Sequence, residues 1–395
     1  MAREVVIVGA ARTPIGSFEG AFSSLAAPQL GAVAIQAALA RSGVSAAHVE
    51  ELWMGNALQA GVGQAPARQA ALGAGLPEGV ACTTLNKACG SGLKAVVSAA
   101  QAIALGDVEV AIAGGMESMT NAPYLSHATR GGARMGHVDF KDAMIHDGLW
   151  DPYSQQHMGS CAEVCAETRK ISREMQDEYS RESVRRAVDA QRRGAFKEEI
   201  APVTVPQKRG EAIVVSEDER PKAAKIDKIA TLKPVFKRDG TVTAGNSSSI
   251  NDGAAAVVLM TRERAKAEGR TVLGRIVGHA VAARKPLEFT IAPADAMQRL
   301  LERTRCKVDD VDFWEINEAF AVVAIANSQI LKLDPARVNP RGGAVGLGHP
   351  IGASGARLLV TLLQALKDEN KRRGVVSLCI GGGEGIALMV DREGA

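Results

Sequence analysis

Net charge, long apolar runs and paired cysteines are all scarce in this chain of 395 residues. With 47 Lys and Arg against 44 Asp and Glu, the formal charge is only +3, which gives no support to nucleic-acid or membrane binding as the main activity. Lys94, Asp107 and Glu109 interrupt the longest Ala/Val/Ile stretch, so no segment is expected to span a bilayer. The opening residues Met1-Ala-Arg-Glu-Val-Val-Ile-Val-Gly9 run straight into a strand-like segment without an apolar leader, which predicts no secretion. The six cysteines, Cys82, Cys89, Cys161, Cys165, Cys306 and Cys379, do not resemble a disulfide framework, and a cytoplasmic setting is expected. Cys161 and Cys165 lie on a predicted helix with no nearby His or Cys pair to close a tetrahedral site. They are read as buried side chains, and no metal is expected.

What the chain does have is reactive side chains set in glycine-rich turns. Cys89 stands in Asn86-Lys-Ala-Cys-Gly-Ser-Gly92, His349 in Gly346-Leu-Gly-His-Pro-Ile-Gly352 and Cys379 in Cys379-Ile-Gly-Gly-Gly383. Glycine lets a substrate approach the backbone and frees amide N–H groups for an oxyanion. Cys89 also opens an Ala-rich helix, where the dipole favours a thiolate. Alone, each has a plainer reading: Cys89 as a small buried hydrophobe, His349 as a turn hydrogen-bonder, Cys379 as the end of a buried strand. A nucleophile, a base and a second thiol together point to acyl chemistry.

The length predicts more than one substructure, and the order of elements predicts an internal duplication. Glu51-Leu-Trp-Met-Gly-Asn56 is similar to Asp312-Phe-Trp-Glu-Ile-Asn317, and Ala113-Gly-Gly-Met-Glu-Ser118 to Ile380-Gly-Gly-Gly-Glu-Gly385. Two β/α halves are expected, residues 1–119 completed by 250–271, and residues 272–395, around an insertion of residues 120–249. The charged stretch from Cys161 to Lys197 in that insertion reads as an amphipathic helix with solvated faces. Met119, Met135, Met144 and Met158 are core gap-fillers by default. Asn317 also reads as a cap for the helix that follows.

Together with Gly114-Gly-Met-Glu-Ser-Met119 and Asn317-Glu-Ala-Phe320, these motifs resemble the thiolase family over essentially the whole chain, most closely its acetyl-CoA acetyltransferase subgroup. The resemblance implies an α/β fold of two duplicated halves in a layered αβαβα arrangement, with a loop domain over the substrate and a dimer or dimer of dimers. It implies ping-pong chemistry interconverting two acetyl-CoA with acetoacetyl-CoA plus CoA, without a cofactor. Cys89 would carry the acyl group, His349 would activate it, and Cys379 would move the α-proton of the second acetyl-CoA. Asn317 would fix a water at the enolate oxygen, and the N–H groups of Cys89 and Gly381 would form a second oxyanion hole. Leu149, His157, Met158, Lys222, Ala244, Ser248, Ala319 and Phe320 are the implied substrate and CoA contacts. His157-Met158-Gly159 resembles the tripeptide that lines a short acyl pocket, which argues against the rival reading as a long-chain 3-ketoacyl-CoA thiolase. Cys379 argues against a decarboxylating ketoacyl synthase, and the intact trio against a silent acyl-CoA or lipid-binding relative.

One segment and three single positions depart from the family pattern. The segment around Arg220, Lys222 and Lys225 differs where relatives meet the nucleotide phosphate with Arg. Arg341 replaces a common Asn, and Glu384 replaces a common Met. Val184 stands where potassium-dependent relatives carry Tyr, so no potassium requirement is expected.

Overall fold

The run Asn251-Asp-Gly-Ala-Ala-Ala-Val-Val-Leu-Met-Thr261 is apolar on both alternating faces through its centre, and such a strand is stable only where both faces are covered. In the computed structural model, which describes residues 3–392, all eleven of its residues are buried. Ala254, Ala256, Val258 and Met260 join one hydrophobic cluster, while Ala255, Val257 and Leu259 join another. That alternation is the one a pleated strand imposes.

The ten-stranded main sheet comprises β1 (Val5–Arg12), β2 (Glu51–Gly55), β3 (Ala81–Leu85), β4 (Val110–Ser118), β5 (Asn251–Thr261), β6 (Gly274–Ala283), β7 (Phe313–Ile316), β8 (Arg373–Ile380), β9 (Glu384–Asp391) and the two-residue strand Gly16–Ser17 beside β5. Spatially it runs β3-β2-β4-β5-β1 and then β6-β9-β8-β7. Among the described residues, the strand pairing between the two parts is Val6 with Arg275 and Ile7 with Gly274. Each repeats one scheme. β2 is parallel to β4, which is antiparallel to β5, which is antiparallel to β1. Likewise β7 is parallel to β8, which is antiparallel to β9, which is antiparallel to β6.

The register corrects one expected correspondence. Trp53 lies opposite Ala113 and Trp314 opposite Val375, so Ala113 corresponds to Val375 and not to Ile380. The two glycine runs serve different ends. Gly114 and Gly115 sit inside β4, where an added Cβ would meet Ala255 O and Gly352 O at 2.1 Å. Gly382 and Gly383 form a turn at φ +90° and +95°, a conformation open mainly to glycine.

The helices make three layers. They are α1 (Ala27–Ser42), α2 (Pro66–Gly73), α3 (Ser91–Leu105), α4 (Met158–Arg169), α5 (Arg173–Arg192), α6 (Ala292–Thr304), α7 (Ala321–Leu331) and α8 (Ser354–Asp368), with several shorter ones between. α1 and α2 pack on the outer face of the first half-sheet, and α6 on the outer face of the second. α3 and α8 share one core with the inner faces of both halves. The central position explains α3's composition. Ala88–Leu105 is apolar and long enough to cross a membrane by length and composition, with a mean hydropathy of 1.3, contrary to the expectation above. Here that composition serves a helix covered on several sides by protein. Met135 also departs from expectation: it is 99% exposed, on a glycine-rich excursion whose residues 127–137 are all exposed.

Candidate active site

Cys89 is raised at the N-terminus of α3 by a turn that its own short side chains hold. Asn86 Oδ1 accepts the Ala88 N–H at 2.9 Å, Ser91 Oγ accepts the Lys87 N–H at 2.8 Å and donates to Ala88 O at 2.7 Å. Ala88 pays for the turn with φ +44°. Gly90 lets this turn reach the second half, since a Cβ there would meet Ile380 Cδ1 at 2.5 Å. Burial pushes the half-buried Cys89 thiol up to about 11, against hydrogen bonds from the backbone N–H groups of Gly381 and Cys89 itself. The two amides expected to form the oxyanion hole are thus the groups that oppose burial at this thiol.

His349 is fixed in tautomer by its surroundings. Ser354 Oγ donates to Pro350 O at 2.8 Å, which spends its only proton, so at 2.5 Å it accepts from His349 Nδ1–H. Nε2 is left with a lone pair, and the Asn317 amide faces it at 3.4 Å. The ring is thus set as a proton acceptor. Burial, then the Arg357 guanidinium, pushes its pKa from 6.5 down to about 3. Because the folded value is the lower one, the unfolded chain binds more protons between those limits. The stability tied to His349 is full above about pH 6.5 and is lost as pH falls toward 3. His349→Asn should therefore lose less stability than the parent between about pH 6.5 and pH 4, measured as urea midpoints; an equal loss would contradict the assignment.

Asn317 is fully buried, and its Oδ1 has no hydrogen-bond partner among the described residues. It follows β7 and sits directly before Glu318, whose carboxylate ties Tyr179, Ser183 and Asn339 together. Cys379 lies one residue from the end of β8, opposite Gly385, and is fully buried. Burial, then the nearby Cys89, holds its thiol well above the usual range.

A cavity of about 460 Å³ has Cys89, His349 and Gly381 in its wall. Leu149, His157, Met158, Ala244, Ser248, Ala319 and Phe320 line the same cavity. Ser248 is tied to Ala319 by two hydrogen bonds to its carbonyl, at 3.0 and 2.9 Å, so the insertion is latched to the Asn317-Glu-Ala-Phe320 segment. A larger cavity of about 680 Å³, between α5 and α7, contains none of the three reactive side chains.

The pattern of the thiolase N-terminal domain matches residues 5–263, and that of the thiolase C-terminal domain matches residues 270–392. The chain belongs to the thiolase family. It is 53% identical over 392 residues to acetyl-CoA acetyltransferase 2 of Arabidopsis thaliana, covering 98% of this chain and 97% of that one. It is 49% identical over 392 residues to acetyl-CoA acetyltransferase of Pseudomonas aeruginosa, covering 99% and 100%. The crystal structure of the Bacillus anthracis acetyl-CoA acetyltransferase superposes with a TM-score of 0.96 at 42% identity, covering 99% of each chain.

Lys222 is the exception among the expected contacts of this thiolase. It does not line the cavity but pairs with Glu217 at 2.9 Å on the surface. Arg220, on the same short helical turn, lines it instead, with Nε donating to Val345 O at 2.6 Å. Arg220 and Ala244 also border a second cavity that Lys225 and Lys228 line. Arg220→Ala is expected to raise the KM for a CoA thioester by about tenfold, the cost of a charge-assisted hydrogen bond, while Lys222→Ala leaves it unchanged. The reverse order in steady-state kinetics would restore Lys222 as the contact.

Phe236, absent from the sequence reading, is a wall of this cavity. It stacks on His157 at 4.7 Å and meets Phe320 edge-on at 6.3 Å. Gly159 makes room for it, since a Cβ there would lie 2.3 Å from the ring. Of the departures, Arg341 is fully buried on Asp368 at 2.5 Å and on Ala195 O at 2.8 Å, outside the cavity wall. Glu384 forms an ion pair with Lys87 of the nucleophile turn.

Proposed function

We propose that this thiolase is an acetyl-CoA C-acetyltransferase, interconverting two acetyl-CoA with acetoacetyl-CoA and CoA through an acyl-Cys89 intermediate. The observation that carries this reading is one cavity in which Cys89, His349 and Gly381 meet the His157, Met158 and Phe320 walls. Nε2 of His349 takes the Cys89 proton, and the thiolate attacks the thioester carbonyl. The N–H groups of Cys89 and Gly381 receive the oxyanion, and CoA leaves with the proton that His349 returns. Cys379, as its thiolate, then accepts the α-proton of the second acetyl-CoA. The enolate oxygen lies toward His349 and Asn317, its carbon attacks the acyl group, and the Cys89 thiolate that is released takes up the proton from Cys379. Thiolysis runs the same steps backwards.

Met158, buried against the place a Gly381 Cβ would take at 3.8 Å, supports a short acyl end. Thiolysis efficiency should be highest for the C4 substrate and fall by at least about tenfold at C8 and beyond, since each methylene that cannot be seated forfeits about 1 kcal/mol. Comparable efficiency on long chains would favour the 3-ketoacyl-CoA thiolase reading. The same assay in sodium or potassium salts should give equal rates, given Val184.

The assembly proposed is a dimer or dimer of dimers. β3 supports it as a free terminal strand of the sheet, a surface that natural proteins cover. Light scattering should give two or four times the chain mass; a monomer would overturn it. A role in fatty-acid metabolism would follow from the proposed reaction, and a cytoplasmic place is supported by six free cysteines. Cell fractionation tests it.

A further inference from the structure

Glu117 is fully buried and takes no part in the chemistry above. The strand register pairs it with the reactive centre: with Trp53 and Trp314 equivalent, Asn56 corresponds to Asn317 and Glu117 to Cys379. The first half therefore holds a counterpart of the condensation site, with a carboxylate where the second half has its thiol. Four donors converge on that carboxylate. Asn56 Nδ2 at 2.6 Å and the Leu58 N–H at 3.2 Å bind Oε1, while the Ala57 N–H at 3.0 Å and the Gly352 N–H at 2.8 Å bind Oε2. The first three come from the turn after β2, and the fourth from the His349-Pro-Ile-Gly352 turn of the other half.

We propose that Glu117 is a positioning residue for the condensation site: its carboxylate braces the His349–Gly352 turn against the Asn56–Leu58 turn and so sets where His349 stands relative to Cys89. The inference rests on the reading of Cys89 and His349 as nucleophile and base. Burial pushes the Glu117 carboxyl up to about 7, against the four donors that favour its ionised form. Gly352 must be glycine for the brace to form, because a Cβ there would lie 2.8 Å from Oε2. The brace also carries charge. Its donors are neutral amides, and the titratable group it acts on is Cys89, whose thiol it helps to keep protonated at rest.

Glu117→Gln replaces one acceptor oxygen by an N–H₂ group that faces donors, and Glu117→Asp keeps the charge on a shorter arm. In the full-length protein, Glu117→Gln should cut kcat for acetoacetyl-CoA thiolysis by about 100-fold with KM within a few fold, as a misplaced base does. Glu117→Asp should recover part of that loss. Independently of any acyl substrate, the pH midpoint of Cys89 alkylation by iodoacetamide should move down in Glu117→Gln, because a negative charge is gone. Unchanged kcat overturns the proposal, as does a kcat loss with an unmoved alkylation midpoint. If Glu117→Gln does not fold, Asn56→Ala removes one of the four donors; a fall in kcat at constant KM supports the brace and an unchanged kcat overturns it. Absence of thiolysis in the parent protein would defeat the functional reading instead, while the alkylation comparison would still report on Glu117.

Discussion

Cys89→Ala is expected to abolish both directions of the reaction, lowering kcat by about 10⁶-fold, the scale seen when a nucleophile is removed from a unit that works together. Among the residues that line the cavity Cys89 is the only thiol, and an alcohol such as that of Ser248 is a far weaker nucleophile at its free pKa. The alanine methyl replaces a sulfur that accepts the Gly381 and Cys89 amides, so the variant should fold and still bind CoA thioesters within a few fold of the parent. Two measurements separate these outcomes: thiolysis of acetoacetyl-CoA, and tryptophan-monitored or calorimetric binding of CoA. Residual thiolysis above about 1% of the parent would not fit a covalent mechanism through Cys89.

Cys379→Ser should divide the half-reactions. Acylation of Cys89 by acetyl-CoA needs only the thiol, His349 and the two amides, and its rate is expected to stay within a few fold. Condensation should fall by about 10²- to 10⁴-fold, the usual worth of a positioned acid or base, because a buried serine hydroxyl is a far poorer proton carrier than a thiol. After burial, an ionised Cys89 is the next influence that holds the Cys379 thiol up, so the two thiols disfavour ionising together. An acylated Cys89 cannot ionise and so offers no competing charge to a Cys379 thiolate. Trapping the acyl-enzyme from labelled acetyl-CoA, beside steady-state condensation, reads both numbers. Equal loss of the two would remove Cys379 from the second step.

Much of the site was legible because its motifs are local. A glycine that must admit a crossing backbone, such as Gly90 against Ile380, leaves its mark in the residues next to the reactive side chain. The contacts that were not legible depend on how distant segments dock. Lys222 and Arg220 share one helical turn, Glu219–Ala223, and composition cannot say which of two cations faces inward. Phe236 sits in an irregular loop with no periodicity to flag it, and its role appears only when Gly159 and His157 come under its ring. The apparent match of the two glycine runs failed for the same reason. Similar residues met different needs, one a close strand approach and the other a turn.

By itself the sequence determined the chemical kind of this protein: two thiols and an imidazole, each in a turn that exposes amides, spread over a chain that repeats its own element order. Only the tertiary structure decided which of those groups could work and in what state. The Ser354 hydroxyl spends its proton on Pro350 and so leaves Nε2 of His349 as the acceptor. Gly381 of one half reaches the Cys89 sulfur of the other, and Glu117 ties the two turns across the same boundary. Proton positions and pKa shifts arise from burial and from neighbours far apart in the chain, and those come into being only when the halves close on one another.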